Sequence, residues 1–220
     1  DGFDKNKKPK PGQLFFSRSE EIVEHTFDCL CKNDTPDIVL ISGDLTYNGE
    51  RTSHDEMKAA LKKLQQKGKR VYVITATHDY TTPRMPTYGI DKNDKYIEVE
   101  SVNRTQLLKY YGDFGYNNAI AKHKSTMSYV AQLADGYRLF ALNDDYGDPD
   151  CGFSDELMNW VKTEANNAKR DGQYIIAMTH HPLVPPSPIY AAVAKGDMLN
   201  EYELRRNQLS DLGFDFVLTG

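Results

Sequence analysis

The chain has 220 residues, enough for one domain with a hydrophobic core, or one domain plus a small appendage. Its composition, 39% hydrophobic and 27% charged, excludes a disordered chain, and no apolar run approaches the ~18–20 residues that span a bilayer. A formal net charge of -5 argues against bulk nucleic-acid binding, which leans on clustered Lys and Arg.

The opening residues 1–12 are charged and punctuated by Pro and Gly, unlike a signal peptide. Three cysteines, Cys29, Cys31 and Cys151, form an odd set without zinc-like spacing, which predicts reduced thiols. Ser17 to Glu20 fits a capping box, and a helix is predicted from there to about Asn33. Asp37 to Ser42 is a short, continuous apolar run, as in a strand covered on both faces. Ser53 to Glu56 is a second capping box. The helix predicted after it carries Met57, Leu61 and Leu64 at helical spacing and stops near Gly68. Arg70 to Thr75 is the next buried strand. Residues 81–101 are polar and turn-rich and read as a long excursion, of the kind that often serves function.

A short helix is predicted at Thr105–Tyr111. Two strands, Thr126–Leu133 and Tyr137–Leu142, flank the hairpin signal Asp135-Gly136. Ser154 caps a helix that runs to about Arg170 and ends at Gly172. Strand Tyr174–Thr179, helix Glu201–Leu212 and strand Phe214–Thr219 complete the order. Strands alternating with helices around a central hairpin predict an α/β sheet with helices packed on it.

In open α/β sheets chemistry gathers where strands end. Strand 37–42 runs into Gly43-Asp44, strand 70–75 into Ala76-Thr77-His78-Asp79, and strand 174–179 into His180-His181-Pro182. Asp44, His78, Asp79 and His180 would then project from one sheet edge. Carboxylate and imidazole suit Mn, Fe and Zn. Asp44 offers two oxygens and can bridge two ions about 3.5–4 Å apart, a pair that clamps a phosphate and activates water. His78 with Asp79 behind it has the form of an acid with an orienting carboxylate. Each piece alone also has a plain structural reading: a turn, a loop hydrogen bond, a packed imidazole before a rigid turn. The functional reading rests on their conjunction in one order.

That order resembles the calcineurin-like metallophosphoesterase superfamily: Gly43-Asp44-Leu45-Thr46-Tyr47-Asn48-Gly49, Ser53-His54, Thr77-His78-Asp79, then His180-His181-Pro182. The likeness extends to Asp113–Tyr116, Ser128–Val130 and Leu142-Asn143-Asp144, and looks like a bacterial branch of phosphohydrolases similar to cyclic-nucleotide phosphodiesterases. The resemblance implies an α/β fold, a four-layer αββα sandwich with mixed sheets, and a dinuclear site for two divalent metal ions (Mn, Fe or Zn). It implies that Asp44 bridges the metals, that His180 binds one, and that Thr77 stands at a metal-ligand position. It gives His78 the leaving-group proton, Asp79 the orienting role, and His54 a structural one. The implied substrate is a small phosphorylated molecule such as a nucleotide, as monoester or diester.

Two departures from the family pattern stand out. Thr77 occupies the place of an Asn whose side-chain carbonyl supplies a metal oxygen, and a hydroxyl on a shorter arm is a weaker ligand. The Asp-x-His and Gly-His-x-His motifs that open and close the family pattern are not in residues 1–220, so the expectation is one domain trimmed at both ends. The competing expectation is a degenerate relative that binds a ligand or partner without hydrolysis. A nucleotide-binding domain of another kind is set aside, because neither Gly-rich phosphate loop pattern occurs. Location stays open between cytoplasm and bacterial cell envelope.

Overall fold

The computed structural model describes residues 18–34, 36–82, 87–90, 96–145, 151–193 and 195–220. Helix α1 (Ser19–Lys32) leads to strand β1 (Ile38–Ser42), helix α2 (Arg51–Gln66) and strand β2 (Arg70–Ile74). Strands β3 (Tyr88–Ile90) and β4 (Tyr96–Glu98) form a small antiparallel pair. Helix α3 (Leu107–Tyr111) is followed by β5 (Ala121–His123), β6 (Ser128–Ala134) and β7 (Tyr137–Ala141). Then come α4 (Asp155–Arg170), β8 (Tyr174–Met178), α5 (Pro188–Val193), α6 (Tyr202–Asp211) and β9 (Phe216–Leu218).

Among the described residues, β1 and β2 pair in parallel, Ile38 opposite Arg70 through Ser42 opposite Ile74. The second principal sheet runs β5-β6-β7-β8-β9 and is mixed: antiparallel from β5 to β7, parallel from β7 to β9. Alternation along each strand sorts side chains into three apolar layers. Ile38, Leu40, Tyr72 and Ile74 face Tyr129, Ala131, Leu139, Ala141, Ile176 and Met178 between the two sheets. Val39, Ile41, Val71 and Val73 face the opposite way, onto Leu61 and Leu64 of α2, Phe27 and Leu30 of α1, and Leu107 and Tyr111 of α3. Phe140, Ile175 and Ala177 turn outward onto Leu157, Val161 and Ala165 of α4 and Leu209 of α6. Helix, sheet, sheet, helix is the four-layer αββα order with a mixed sheet.

Some local expectations need correction. The N-cap of α1 is Arg18, without a side-chain cap bond, and Ser17 lies outside the described residues. Helix α2 starts at Arg51 with Glu50 as N-cap, so Ser53 sits inside the first turn and caps nothing. The Ser154 cap is present: its Oγ accepts the Leu157 N–H at 3.1 Å. Residues 81–101 contain the β3–β4 pair, and β5 and α5 are additional elements. Three-residue strands and a six-residue helix carry too few positions for a periodic signal.

Candidate metal centre

Strands β1, β2 and β8 deliver their following loops to one edge of the molecule. After β1, Gly43 adopts φ +96°. A Cβ there would lie 2.6 Å from the Ala76 Cβ and 3.2 Å from the His180 ring, so only glycine fits this crossing. Asp44 follows with φ 52°, a left-handed conformation that turns its carboxylate back over the sheet edge. Its Oδ2 lies 3.3 Å from His180 Nε2, and its Oδ1 accepts the His78 backbone N–H at 3.2 Å. The Asp44–His180 contact therefore joins the small sheet to the large one.

His180 Nδ1 donates to the Ser42 carbonyl at 2.8 Å. A carbonyl only accepts, so the proton on Nδ1 is fixed and Nε2 is the nitrogen presented to Asp44, the usual backing of a metal-bound imidazole. Burial opposes the charge on His180, but the Asp44 carboxylate outweighs it and the imidazole pKa is raised. Burial likewise pushes Asp44 up, and hydrogen bonding to His180 reverses this to a net lowering.

His78 lies in a 3-10 turn over Thr77–Asp79. Its ring Nδ1 donates to the Tyr47 carbonyl at 2.5 Å, with the Asn48 Oδ1 at 3.3 Å, and the Tyr47 ring stacks alongside at a centroid distance of 5.9 Å. The expected orienting role of Asp79 is not what these bonds give. The Asp79 carboxylate is fully buried and accepts backbone N–H groups from Ala76 at 2.9 Å and Thr46 at 3.0 Å. It braces the two loops against each other, and the Tyr47 carbonyl orients the His78 ring. Burial pushes the Asp79 carboxyl up to about 7, against the pull of its N–H donors and with the Asp44 charge adding to the rise.

Thr77 opens the 3-10 turn, half-exposed, and no hydrogen bond among the described residues joins its hydroxyl to Asp44 or His180. His54 is fully buried. Its Nε2 donates to the Asp79 carbonyl at 3.0 Å and its Nδ1 accepts from the Tyr111 hydroxyl at 2.5 Å; burial lowers its pKa to about 4. It is a neutral, packed imidazole. Tyr80 is buried beneath the Arg104 guanidinium, 4.5 Å from its ring centroid, while the Tyr88 and Tyr96 side chains lie outside the described residues.

Behind the site is a group that belongs to the family likeness but has no role implied by it. Asp144 is fully buried and accepts from the Thr179 hydroxyl at 2.6 Å and the His181 backbone N–H at 2.8 Å, while His181 Nδ1 lies 3.0 Å from its other oxygen. Beside it, Asn143 Nδ2 donates to the Thr75 hydroxyl at 2.9 Å, another tie between the two sheets. Leu142-Asn143-Asp144 was visible as a motif. The Ser42 and Tyr47 carbonyls had no sequence signal, because every residue carries one.

Asp44 and the Nε2 of His180 are a carboxylate oxygen and an imidazole nitrogen at 3.3 Å, with the imidazole tautomer preset, and they fit as two ligands of one ion. Among the described residues, no group of three or more His, Cys, Asp or Glu is gathered tightly enough to hold an ion by itself.

A four-layer αββα sandwich with carboxylate and imidazole converging at its strand ends defines a class of metal-dependent phosphoesterases. The family model for calcineurin-like phosphoesterase matches residues 16–220, and the chain belongs to that family. Among solved structures it is similar to a dimetal phosphatase from Danio rerio, with a TM-score of 0.60 and 11% identity over 94% of this chain and 71% of that one. At that identity the likeness is one of fold. No curated protein matches the chain. Among the described residues no helix is long and apolar enough to cross a membrane.

Proposed function

We propose that this protein hydrolyses phosphate esters of small molecules, diester or monoester and including nucleotides, at a centre for two divalent cations to which it contributes Asp44 and His180. The carrying observation is the 3.3 Å approach of Asp44 Oδ2 to His180 Nε2, made across two sheets and backed by the Ser42 carbonyl. Cations bound there supply positive charge against the phosphoryl oxygens. The chain's own residues do the rest. Asp44 and His180 would hold the cations. His78, its ring held by Tyr47, carries the proton for the leaving oxygen.

The test is metal content and hydrolysis of bis-p-nitrophenyl phosphate and p-nitrophenyl phosphate with Mn²⁺. Asp44→Asn and His180→Gln should each weaken Mn²⁺ binding measured by calorimetry and remove hydrolysis, with far-UV circular dichroism unchanged. Full Mn²⁺ affinity in both variants would sink the assignment.

A second reading, a decayed site in a ligand-binding relative, is favoured by Thr77 standing where the sequence resemblance expects Asn. It expects no turnover and a gain of metal affinity in Thr77→Asn.

A further inference from the structure

The turn before α2 holds His78 on several sides. Thr46 Oγ1 donates to the His78 backbone carbonyl at 2.8 Å and accepts the Gly49 N–H at 3.0 Å. The Tyr47 carbonyl accepts from the His78 ring, and the Tyr47 ring stacks on it. What keeps this turn in shape is Glu50. As the N-cap of α2 it would ordinarily present its side chain to its own helix, yet it makes no cap bond. Its carboxylate bends backward instead. Oε2 accepts the Tyr47 N–H at 3.2 Å, and Oε1 and Oε2 accept the Asn48 N–H at 3.1 and 3.0 Å.

We propose that Glu50 is a positioning residue for His78: by gathering the N–H groups of Tyr47 and Asn48, it aims the Tyr47 carbonyl at His78 Nδ1 and locks the ring into the Nδ1–H tautomer. The physical reason is directional. The peptide that joins Tyr47 to Asn48 carries the accepting carbonyl on one side and the Asn48 N–H on the other. A carboxylate gripping that N–H fixes the plane of the peptide and polarises its carbonyl toward the imidazole. Nε2 is then the ring nitrogen free to take up a proton, released by the attacking water, and pass it to the leaving oxygen. A role in the reaction rests on the reading of His78 as proton donor; the tautomer lock stands on geometry alone.

The experiment uses the full chain labelled with ¹⁵N-histidine, long-range ¹H–¹⁵N correlation spectra at pH 8, and a His78→Gln variant to assign the signals. Wild type is expected to show His78 as a single Nδ1–H tautomer and His54, on the helix that Glu50 caps, as the Nε2–H form. Glu50→Ala should turn His78 into a mixture of tautomers and leave His54 unchanged. Glu50→Gln, which keeps one acceptor oxygen, should fall between. With Mn²⁺ and bis-p-nitrophenyl phosphate, kcat should drop about ten- to a hundredfold in Glu50→Ala at unchanged KM.

The proposal is overturned if His78 keeps one tautomer in Glu50→Ala. It is also overturned if His54 changes in step with His78, which would mark a general loosening of the helix start. A wild type without turnover counts against the hydrolase reading alone, and the spectra still decide the role of Glu50.

Discussion

A carbonyl oxygen accepts and never donates, so Ser42, Tyr47 and Asp79 each dictate which nitrogen of a neighbouring imidazole holds the proton. His180 and His78 are Nδ1–H through the first two, and His54 is Nε2–H through the third. His54 also has a thermodynamic signature. Its folded pKa of about 4 lies below the 6.5 of an exposed imidazole, because burial penalises the charged ring. Above pH 6.5 both states are neutral and the contribution is complete. As pH falls from 6.5 toward 4 the unfolded chain takes up a proton that the folded chain refuses, and about 3 kcal/mol is lost over that window. Asp79, raised to about 7 against 3.8, acts in the opposite sense, since its contribution is complete at low pH and lost as pH rises through 7. The His54 share is therefore read as a difference. Urea unfolding of wild type and His54→Phe from pH 4 to 8 should show wild type losing stability relative to the variant on acidification. Parallel curves would refute it. At this scale Asp44, His78 and His180 were legible because each follows an apolar run. The partner of the His78 ring was not, because the adjacent Asp79 looked like an orienter while the actual acceptor is a backbone oxygen 31 residues earlier in the chain.

Elements were legible in proportion to their length. The 16-residue helices α2 and α4 and the five-residue strands β1, β2, β7 and β8 announce themselves by period or by unbroken apolarity. Their starts are another matter. Ser53, with Glu56 three residues on, carries the fuller capping signature, but it is Ser154, followed by Leu157, that meets the N–H three residues on. At α2, Glu50 takes the N-cap place because its backbone is already held there. Glu50 forms an antiparallel bridge with Ser101, and the Arg51 N–H donates to the Glu100 carbonyl at 2.9 Å. The local cap signal therefore loses to tertiary contacts. Ser154→Ala should cost about 1 kcal/mol in chemical denaturation, and Ser53→Ala less than half of that. Equal losses would mean that the two serines do the same work.

For the whole molecule, the slab between the sheets is the decisive layer. Leu139 and Ala141 are fully buried in it, and Tyr129, Ala131, Ile74 and Met178 are nearly so. Leu139→Ala should destabilise the fold by about 2–5 kcal/mol, from lost apolar contact and the cavity left behind. It should also weaken Mn²⁺ binding measured by calorimetry, although Leu139 is an apolar residue of the slab between the sheets. Unchanged Mn²⁺ affinity in a folded Leu139→Ala protein would separate the slab from the centre. The four-layer order was readable only through the family likeness. Unbroken apolarity along the strands shows that both faces are covered, but not that two distinct sheets supply the cover.

Asp44 belongs to one plate and His180 to the other, and no ladder of backbone bonds ties the plates together among the described residues. What brings the two donors together is contact across the plates: the Ser42 carbonyl under His180, the Asn143–Thr75 bond beside them and the packed slab behind. Both plates must therefore be assembled before Asp44 and His180 can meet, which makes their contact a reporter of complete folding.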